Sequence, residues 1–242
     1  MRKILYYGNS DIGLVRKTNE DIFVVEQDAG FCLVADGMGG AAAGEVASRI
    51  FLESALEVFL GYESASKENA QENVQKTFRL ANEKIIDHVT RNPQHQGMGC
   101  TAELIKFFDT GFVLGHVGDS RTYRIRDGIL KQLTKDHSLV QNQIDQGLLT
   151  PEQARDHSLR NIILRAVGTE ENLALDLING NIYPGDIFLL CSDGLTDMIS
   201  DDLILRNLIS ALDLSQKTDK LIELANSAGG KDNVTVVLVE IQ

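Results

Sequence analysis

Several acidic residues stand where an apolar stretch meets a turn, a position from which carboxylates can do chemistry. Asp36 follows an apolar run and precedes glycines in "LVADGMGG" (33–40), and Asp193 ends "LLCSDG" in the same way. Asp232 lies between a Gly-Gly pair and the apolar run that follows it. The full set is Asp36, Asp119, Asp193, Asp232 and the pair Glu20-Asp21.

Carboxylates gathered at one place repel one another unless protons or cations neutralise them. A ligand set made only of oxygens selects hard divalent cations such as Mg²⁺ or Mn²⁺. Gly37 fits this interpretation because a glycine lets its backbone carbonyl approach an ion. Any single Asp-Gly is more often a plain turn. The recurrence of long apolar runs before or after these aspartates favours a metal site.

Other interpretations of "LVADGMGG" predict different proteins. Gly37, Gly39 and Ala42 match the G-x-G-x-x-A dinucleotide pattern, but Asp36 would repel a diphosphate there. The pattern also requires a parallel strand ending in an acid, whereas "LEVFLGYE" (56–63) continues a helical periodicity. No Gly-Lys-Ser/Thr follows, which excludes a Walker loop. A covalent aspartyl-phosphate enzyme of the haloacid dehalogenase type would usually carry an acid where Met38 stands.

The elements that must position these acids follow from the hydrophobic pattern. Spacings of three and four predict helices that come in pairs, over 43–60, 68–92, about 201–212 and 215–228. Apolar runs predict strands over 4–8, 22–26, 31–35, 101–108, 112–118, 173–180, 186–194 and 233–241, and a hairpin over 122–133 that turns at Asp127-Gly128. Because strands adjoin strands and helices adjoin helices, we expect mostly antiparallel sheets, two of them packed face to face, with helix pairs outside.

The composition limits the partners and the compartment. A chain of 242 residues with a net charge of −12 argues against binding to nucleic acid or to an anionic membrane. No apolar run reaches the length of a membrane span, and the N-terminus lacks the apolar core of a signal peptide. The three cysteines, Cys32, Cys100 and Cys191, show no metal-type spacing. We therefore expect buried free thiols and a cytoplasmic protein.

Eight motifs occur in the order found in one family. They are "DIGLVRKTNED", "VADGMGG", "AGEVAS", "HVGDSRTYRIRDG", "LTKDHSLV", "RNIILRAVG", "GDIFLLCSDGLTDM" and "GGKDNVTVV". Together they resemble bacterial metal-dependent protein phosphatases of the PPM (protein phosphatase 2C-like) type, from about Ser10 to Val239. The resemblance implies an α+β fold, a four-layer α/β/β/α sandwich over residues 1–242, with a flap subdomain at about 137–168.

The resemblance also implies a reaction and its residues. A water bridging two divalent metals, Mg²⁺ or Mn²⁺, would hydrolyse phosphoserine and phosphothreonine in proteins without a phosphoenzyme. Asp36 would bridge the two metals, and Gly37 would offer its carbonyl to the second. The other implied roles are metal binding by Asp193, Asp232 and Glu20 (the last through water), a third metal on Asp119 with Asp193, and phosphate binding by Arg16.

The proton donor is where the chain departs from its relatives. Met38 replaces a histidine of eukaryotic members, and Ala41 replaces one that many bacterial members have after the glycines. We expect a metal-bound water to be the donor, with His95 as a weaker candidate acid. Of the histidines, we expect His116 in the core, His137 bonded to backbone and His95 in a loop, and we read Cys100 as a packing change.

Two alternatives to a protein phosphatase stay open at this level. The first is a non-catalytic phosphoprotein-binding regulator on the same fold, although such a protein would be expected to have lost metal ligands. The second is the same chemistry on small phosphoesters. For the phosphatase we expect phosphorylated proteins as substrates, a bacterial Ser/Thr kinase and its targets as signalling partners, and a monomer.

Overall fold

The computed structural model describes residues 3–39, 43–60, 66–155 and 157–242. The strands within these ranges are β1 Ile4–Asp11, β2 Asp21–Glu26, β3 Phe31–Met38, β4 Gly99–Cys100, β5 Ala102–Phe108, β6 Gly111–Val117, β7 Arg121–Arg126, β8 Ile129–Gln132, β9 Asp176–Asn181, β10 Ile187–Cys191 and β11 Val234–Ile241. The α-helices are α1 Ala43–Phe59, α2 Lys67–Arg91, α3 Leu139–Asp145, α4 Pro151–Arg155, α5 Asp193–Thr196, α6 Asp201–Leu208 and α7 Leu214–Ser227.

The strands form two sheets in which all the described pairs are antiparallel. One sheet has the order β1-β11-β10-β7-β8. The other has the order β2-β3-β5-β6-β9, with the short β4 paired to β3. The prediction of antiparallel rather than parallel sheets is therefore confirmed.

Alternation along the strands divides the interior into three apolar layers, because successive side chains point to opposite faces. In β10, Phe188 and Leu190 pack between the two sheets, whereas Leu189 and Cys191 pack beneath α6 and α7. In β3, alternate residues likewise face either the other sheet or the pair α1 and α2. Helices thus cover both outer faces, and the predicted four-layer α/β/β/α sandwich is confirmed.

The helix ends follow local chemistry. At the start of α2, Ser66 Oγ accepts a hydrogen bond from the Asn69 amide. The helix ends at Arg91, one residue before the predicted 92, and Asn92 separates it from Pro93. A capping box between Asp213 and Gln216 begins α7. Of the helices in the described ranges, none combines the length and the apolar composition that a membrane span requires.

Several predicted boundaries are wrong. Strands β1 and β3 each continue three residues beyond the predicted ends at 8 and 35. Helix α6 ends at Leu208 instead of about 212. Just beyond this end, Ser210 Oγ donates to the Asn207 carbonyl. The strand predicted over 186–194 ends at Cys191, because Ser192 is the N-cap residue of the short helix α5. The strand predicted over 173–180 is instead Asp176–Asn181, set by its pairing with β6.

Candidate metal centre

Strand pairing brings the acidic residues to one edge of the sandwich. In the β2–β3 register Asp21 lies directly opposite Asp36. The Ser192 amide donates to the Thr235 carbonyl at 3.2 Å, so the turn before β11 lies beside the end of β10. We call the residues collected there the acidic edge, and they are Glu20, Asp21, Asp36, Asp119, Asp193 and Asp232.

The charges of the acidic edge act strongly on one another. Burial raises the pKa of Asp36 well above its usual range, and the charges of Asp21, Asp193, Asp119 and Asp232 raise it further. The pKa of Asp193 is also raised well above its usual range, first by burial and then by neighbouring carboxylates beginning with Asp119. Ionised carboxylates at this edge therefore lack a sufficient counter-charge from the protein itself.

Orphaned oxygens indicate what the acidic edge can accept. In the described part of the chain, one buried carboxylate oxygen, Oδ1, of each of Asp21, Asp119 and Asp193 has no hydrogen-bond partner. A buried oxygen without a partner is costly, and a divalent cation would satisfy it and neutralise the repulsion. The donor set thus fits Mg²⁺ or Mn²⁺. Among the described residues, however, no three His, Cys, Asp or Glu side chains form a closed metal-holding cluster.

Three backbone segments meet closely at Gly37. Its amide donates to the Glu20 carbonyl at 3.1 Å. A Cβ on Gly37 would lie 2.1 Å from the Gly44 carbonyl oxygen, and a Cβ on Gly44 would lie 2.6 Å from Glu20 Oε2. Only glycine fits at either position, so the first turn of α1 lies directly against the acidic edge. The role of Gly44 was missed, although the small residues of "AGEVAS" are consistent with it.

The motif resemblance assigns no role to Asp21, whereas the structure shows that Asp21 joins the two sheets. Its Oδ2 accepts hydrogen bonds from Ser192 Oγ and from Thr235 Oγ1, both at 2.7 Å. Burial raises the pKa of Asp21 to about 6, and these two hydrogen bonds act against that increase. The sequence contains a signal for this contact: two polar residues stand beside apolar runs, Ser192 directly after β10 and Thr235 near the start of β11.

Arg16 lies over the acidic edge on the loop between β1 and β2. Its guanidinium donates to Asp232 Oδ2 at 2.5 Å, with side-chain exposures of 51% for Arg16 and 32% for Asp232. Partial burial lowers the pKa of Arg16, but Asp232 and then Asp36 and Glu20 outweigh it and raise the pKa overall. A partly exposed guanidinium held among carboxylates can exchange one anionic partner for another.

Asp119 lies in the turn between β6 and β7 and is 8% exposed. Burial, followed by the charge of Asp136, raises the pKa of Asp119 to about 7. A cavity of about 660 Å³ opens beside it, lined by Asp119, Asp193 and residues of the segment 137–168. Arg160 of that segment lies 3.3 Å from Asp197, so the segment contacts the loop after β10.

The other residues singled out in the sequence lie away from the carboxylates or have structural partners. His137 Nδ1 accepts from the Gly118 amide at 3.1 Å, which confirms the expected backbone bond. His95 bonds His88. His116 is buried as expected, but it forms an ion pair with Glu103, which the sequence did not suggest. The cysteines Cys32, Cys100 and Cys191 are buried and free. Ala41 and Ala42 lie outside the described residues.

A family model described as protein phosphatase 2C matches residues 16–236, which is nearly the whole chain. The chain belongs to the protein phosphatase 2C family. Membership agrees with the resemblance carried by the eight motifs, and it excludes the dinucleotide-binding interpretation of "LVADGMGG", which requires a parallel sheet.

Bacterial members of the protein phosphatase 2C family resemble the chain closely. Serine/threonine protein phosphatase PstP of Mycobacterium tuberculosis is 42% identical over 98% of this chain, which spans 45% of that protein. Serine/threonine phosphatase stp of Listeria monocytogenes is 37% identical, over 96% of this chain and 93% of its own. The crystal structure of the PstP catalytic domain with two manganese ions has a TM-score of 0.91 at 37% identity, covering 100% and 99% of the two chains.

Proposed function

We propose that the chain is a metal-dependent protein phosphatase that hydrolyses phosphoserine and phosphothreonine in proteins. The observation that carries the proposal is the acidic edge, where buried carboxylates with orphaned oxygens repel one another on a protein phosphatase 2C fold. A stable protein would not keep such a cluster without a function that uses cations. The two manganese ions in the PstP structure support the same proposal.

Different residues of the acidic edge would hold different ions. We assign Asp193 and Asp232 to one ion, the Gly37 carbonyl and Glu20 to a second, and Asp36 to both. Asp119 with Asp193 would hold a third. Mg²⁺ or Mn²⁺ bound there supplies an activated water and neutralises phosphate charge. Glu20 Oε2 and the Gly37 carbonyl oxygen both lie close to Gly44, since a Cβ there would be 2.6 Å from each of them, and together they would hold one ion.

Arg16 is assigned to the phosphate. Its planar guanidinium can donate to two oxygens of a phosphoryl group at once, which a lysine cannot do as well. In the structure it is held by Asp232, which keeps it ready above the acidic edge. When a phosphoester binds, its oxygens would replace Asp232 as the acceptor and free that carboxylate for a cation.

His137 is poorly suited to protonate the leaving alkoxide. Burial, followed by the positive charge of His116, lowers the pKa of His137 to about 4, so it is neutral at physiological pH. Its Nδ1 is also already used by the Gly118 amide. Met38 cannot donate a proton. We therefore assign the proton donor to a water that a bound metal ion would hold at the acidic edge.

The segment 137–168 and the surroundings of the chain complete the proposal. We assign this segment as a flap subdomain of a single phosphatase domain over residues 1–242, and we assign the cavity that it lines to the protein part of the substrate.

We expect the chain to act as a monomer that opposes a Ser/Thr kinase by dephosphorylating the kinase and its targets in signalling. Three free buried cysteines and a net charge of −12 fit a cytoplasmic protein that binds neither nucleic acid nor membrane.

The test is turnover of a phosphothreonine peptide with saturating Mn²⁺, before and after chelation with EDTA. We expect activity that EDTA abolishes and that Asp193→Asn lowers about 1000-fold. Asp127→Asn is the matched control, because Asp127 also precedes a glycine but lies in the β7–β8 hairpin. Equal activity of the Asp193→Asn and Asp127→Asn variants would contradict the proposed site.

The same assay separates the two alternatives. A regulator that only binds phosphoproteins would bind the peptide without turning it over. An enzyme for small phosphoesters would hydrolyse nucleoside monophosphates at a higher kcat/KM than the phosphopeptide. Either result would replace the proposed function.

A further inference from the structure

Asn233 follows Asp232 directly and is 4% exposed. Its carboxamide makes three hydrogen bonds. Nδ2 donates to the carbonyls of Ile12 at 2.9 Å and Thr18 at 3.0 Å. Oδ1 accepts from the Glu20 amide at 2.9 Å. One buried side chain thus joins the start of β11 to three points on the chain segment between β1 and β2.

The two carbonyls that Asn233 contacts are the ends of the loop that carries Arg16. We call residues 12–18 the arginine loop. The Leu14 amide donates to the Gly230 carbonyl at 2.7 Å. Gly13 has a φ of +79°, and a Cβ there would lie 2.2 Å from the Asp232 carbonyl oxygen. The arginine loop is therefore closed at both ends and pressed against the turn that carries Asp232.

Only an amide of this length supplies what the arginine loop requires. The two carbonyls need two N–H donors on one atom, and the Glu20 amide needs an acceptor beside them. Aspartate has nearly the same shape but would present a carboxylate oxygen to two carbonyl oxygens. Serine is too short to reach both ends of the loop. A substitution at this position would therefore release the loop without touching the guanidinium itself.

We infer that Asn233 is a positioning residue that fixes the arginine loop so that the Arg16 guanidinium stays over the acidic edge. The inference rests on the proposed function, in which Arg16 binds the substrate phosphate. A loop that is already ordered loses less conformational freedom when the phosphate binds, which favours affinity. Release of the loop should weaken substrate binding more than it slows the chemical step.

The test is a double-mutant cycle with Asn233→Asp, Arg16→Ala and the double variant, measured on a phosphothreonine peptide at saturating Mn²⁺. We expect Asn233→Asp to raise KM about tenfold and to lower kcat less. In the Arg16→Ala background the same change should alter KM less than twofold, because no guanidinium remains to be positioned. Equal effects of Asn233→Asp on KM in both backgrounds would overturn the inference.

Asn82 provides a matched control. It is 3% exposed, and its carboxamide also ties a loop, donating to the Glu170 carbonyl at 2.9 Å and accepting from the Gly168 amide at 2.7 Å. Asn82→Asp should lower the melting temperature as Asn233→Asp does. Its effect on KM should be the same with and without Arg16, since it orders a different loop.

Hydrogen–deuterium exchange of residues 12–18 gives a readout that needs no turnover. We expect faster exchange in Asn233→Asp and unchanged exchange in Asn82→Asp. Asn233→Ser is the second variant if Asn233→Asp does not fold, and it should show the same pattern. Unchanged exchange of the arginine loop would overturn the inference. Absence of peptide hydrolysis by the unsubstituted protein would count against the proposed function, and the exchange result would still decide the positioning role.

Discussion

Glu103 and, at the acidic edge, Asp21 and Asp119 are buried, but their carboxylate oxygens have different partners. Glu103 is fully buried between the two sheets, where one oxygen bonds His116 Nδ1 and the other accepts from Thr122 Oγ1. His116 in turn donates to the Lys135 carbonyl at 2.9 Å. At the acidic edge, by contrast, Asp119 and Asp193 each keep an orphaned oxygen.

The difference separates a structural carboxylate from a functional one. Burial lowers the pKa of His116, but the adjacent Glu103 outweighs it and raises the pKa to about 9. The Glu103 group therefore has its counter-charge and its hydrogen bonds within the protein. The acidic edge has neither in full, and in the proposed function bound cations supply the missing counter-charge. Removing a carboxylate should accordingly have opposite consequences in the two regions.

The largest expected effect is on catalysis, through Asp36→Asn. The substitution keeps the shape of the side chain but removes one charge from the cluster, so kcat on the phosphothreonine peptide should fall about 1000-fold. The melting temperature of the metal-free protein should rise by about 2–4 °C, since mutual repulsion is relieved. A fall in both activity and metal-free stability would mean that Asp36 is a structural residue like Glu103.

The next effect is on stability, through Glu103→Gln. Removing the charge of Glu103 while His116 stays buried should lower the free energy of unfolding by about 3 kcal/mol, measured by denaturation in urea. Turnover at saturating Mn²⁺ and well below the melting temperature should change less than twofold. A large loss of activity without loss of stability would place Glu103 with the functional carboxylates.

A smaller effect concerns pH and follows from His116. Because its pKa is raised from an unfolded value near 6.5 to about 9, its stabilisation is complete below pH 6.5 and is lost as pH rises through 9. Between pH 7 and 9 this amounts to about 2 kcal/mol of unfolding free energy. The variant His116→Gln should lack this part of the pH dependence. Identical pH profiles would show that the pair is not ionised.

The smallest effect is expected for Asp127→Asn. Asp127 has a φ of 52° in the turn between β7 and β8, a conformation that asparagine adopts equally well. The free energy of unfolding should change by less than about 0.5 kcal/mol. Thermal unfolding of the Asp127→Asn and Asp36→Asn variants, measured side by side, checks this prediction. An equal shift of the melting temperature in both variants would remove the distinction between a turn aspartate and a site aspartate.

The sequence could predict whatever depends on local patterning. The apolar runs of β3 and β10, the helical spacing of α1 and α2 and the grouping of strands with strands and helices with helices predicted the layers. The Asp-Gly strand ends drew attention to Asp36 and Asp193. Each of these signals can be recognised within a stretch of about ten residues of the chain. The motif resemblance then added the roles of Arg16 and Glu20, which charge and spacing alone would not distinguish from surface residues.

What the sequence could not predict depends on register between distant segments. Glu103 and His116 face each other because β5 pairs with β6, and Thr122 reaches them from the other sheet. The close approach of Gly37 to Gly44 depends on how α1 leaves β3. The tie from Asn233 to the arginine loop spans more than two hundred residues, so no local pattern marks it.

Calorimetric titration with Mn²⁺ tests the central claim most directly, because it measures whether the acidic edge takes up the cations that its charges require. We predict two tightly bound Mn²⁺ ions per chain, besides the weaker third ion assigned to Asp119, in the unsubstituted protein and in Glu103→Gln. Both tightly bound ions should be lost in Asp36→Asn. Absence of Mn²⁺ binding, or binding that Asp36→Asn leaves unchanged, would contradict the assignment of the acidic edge as the metal centre.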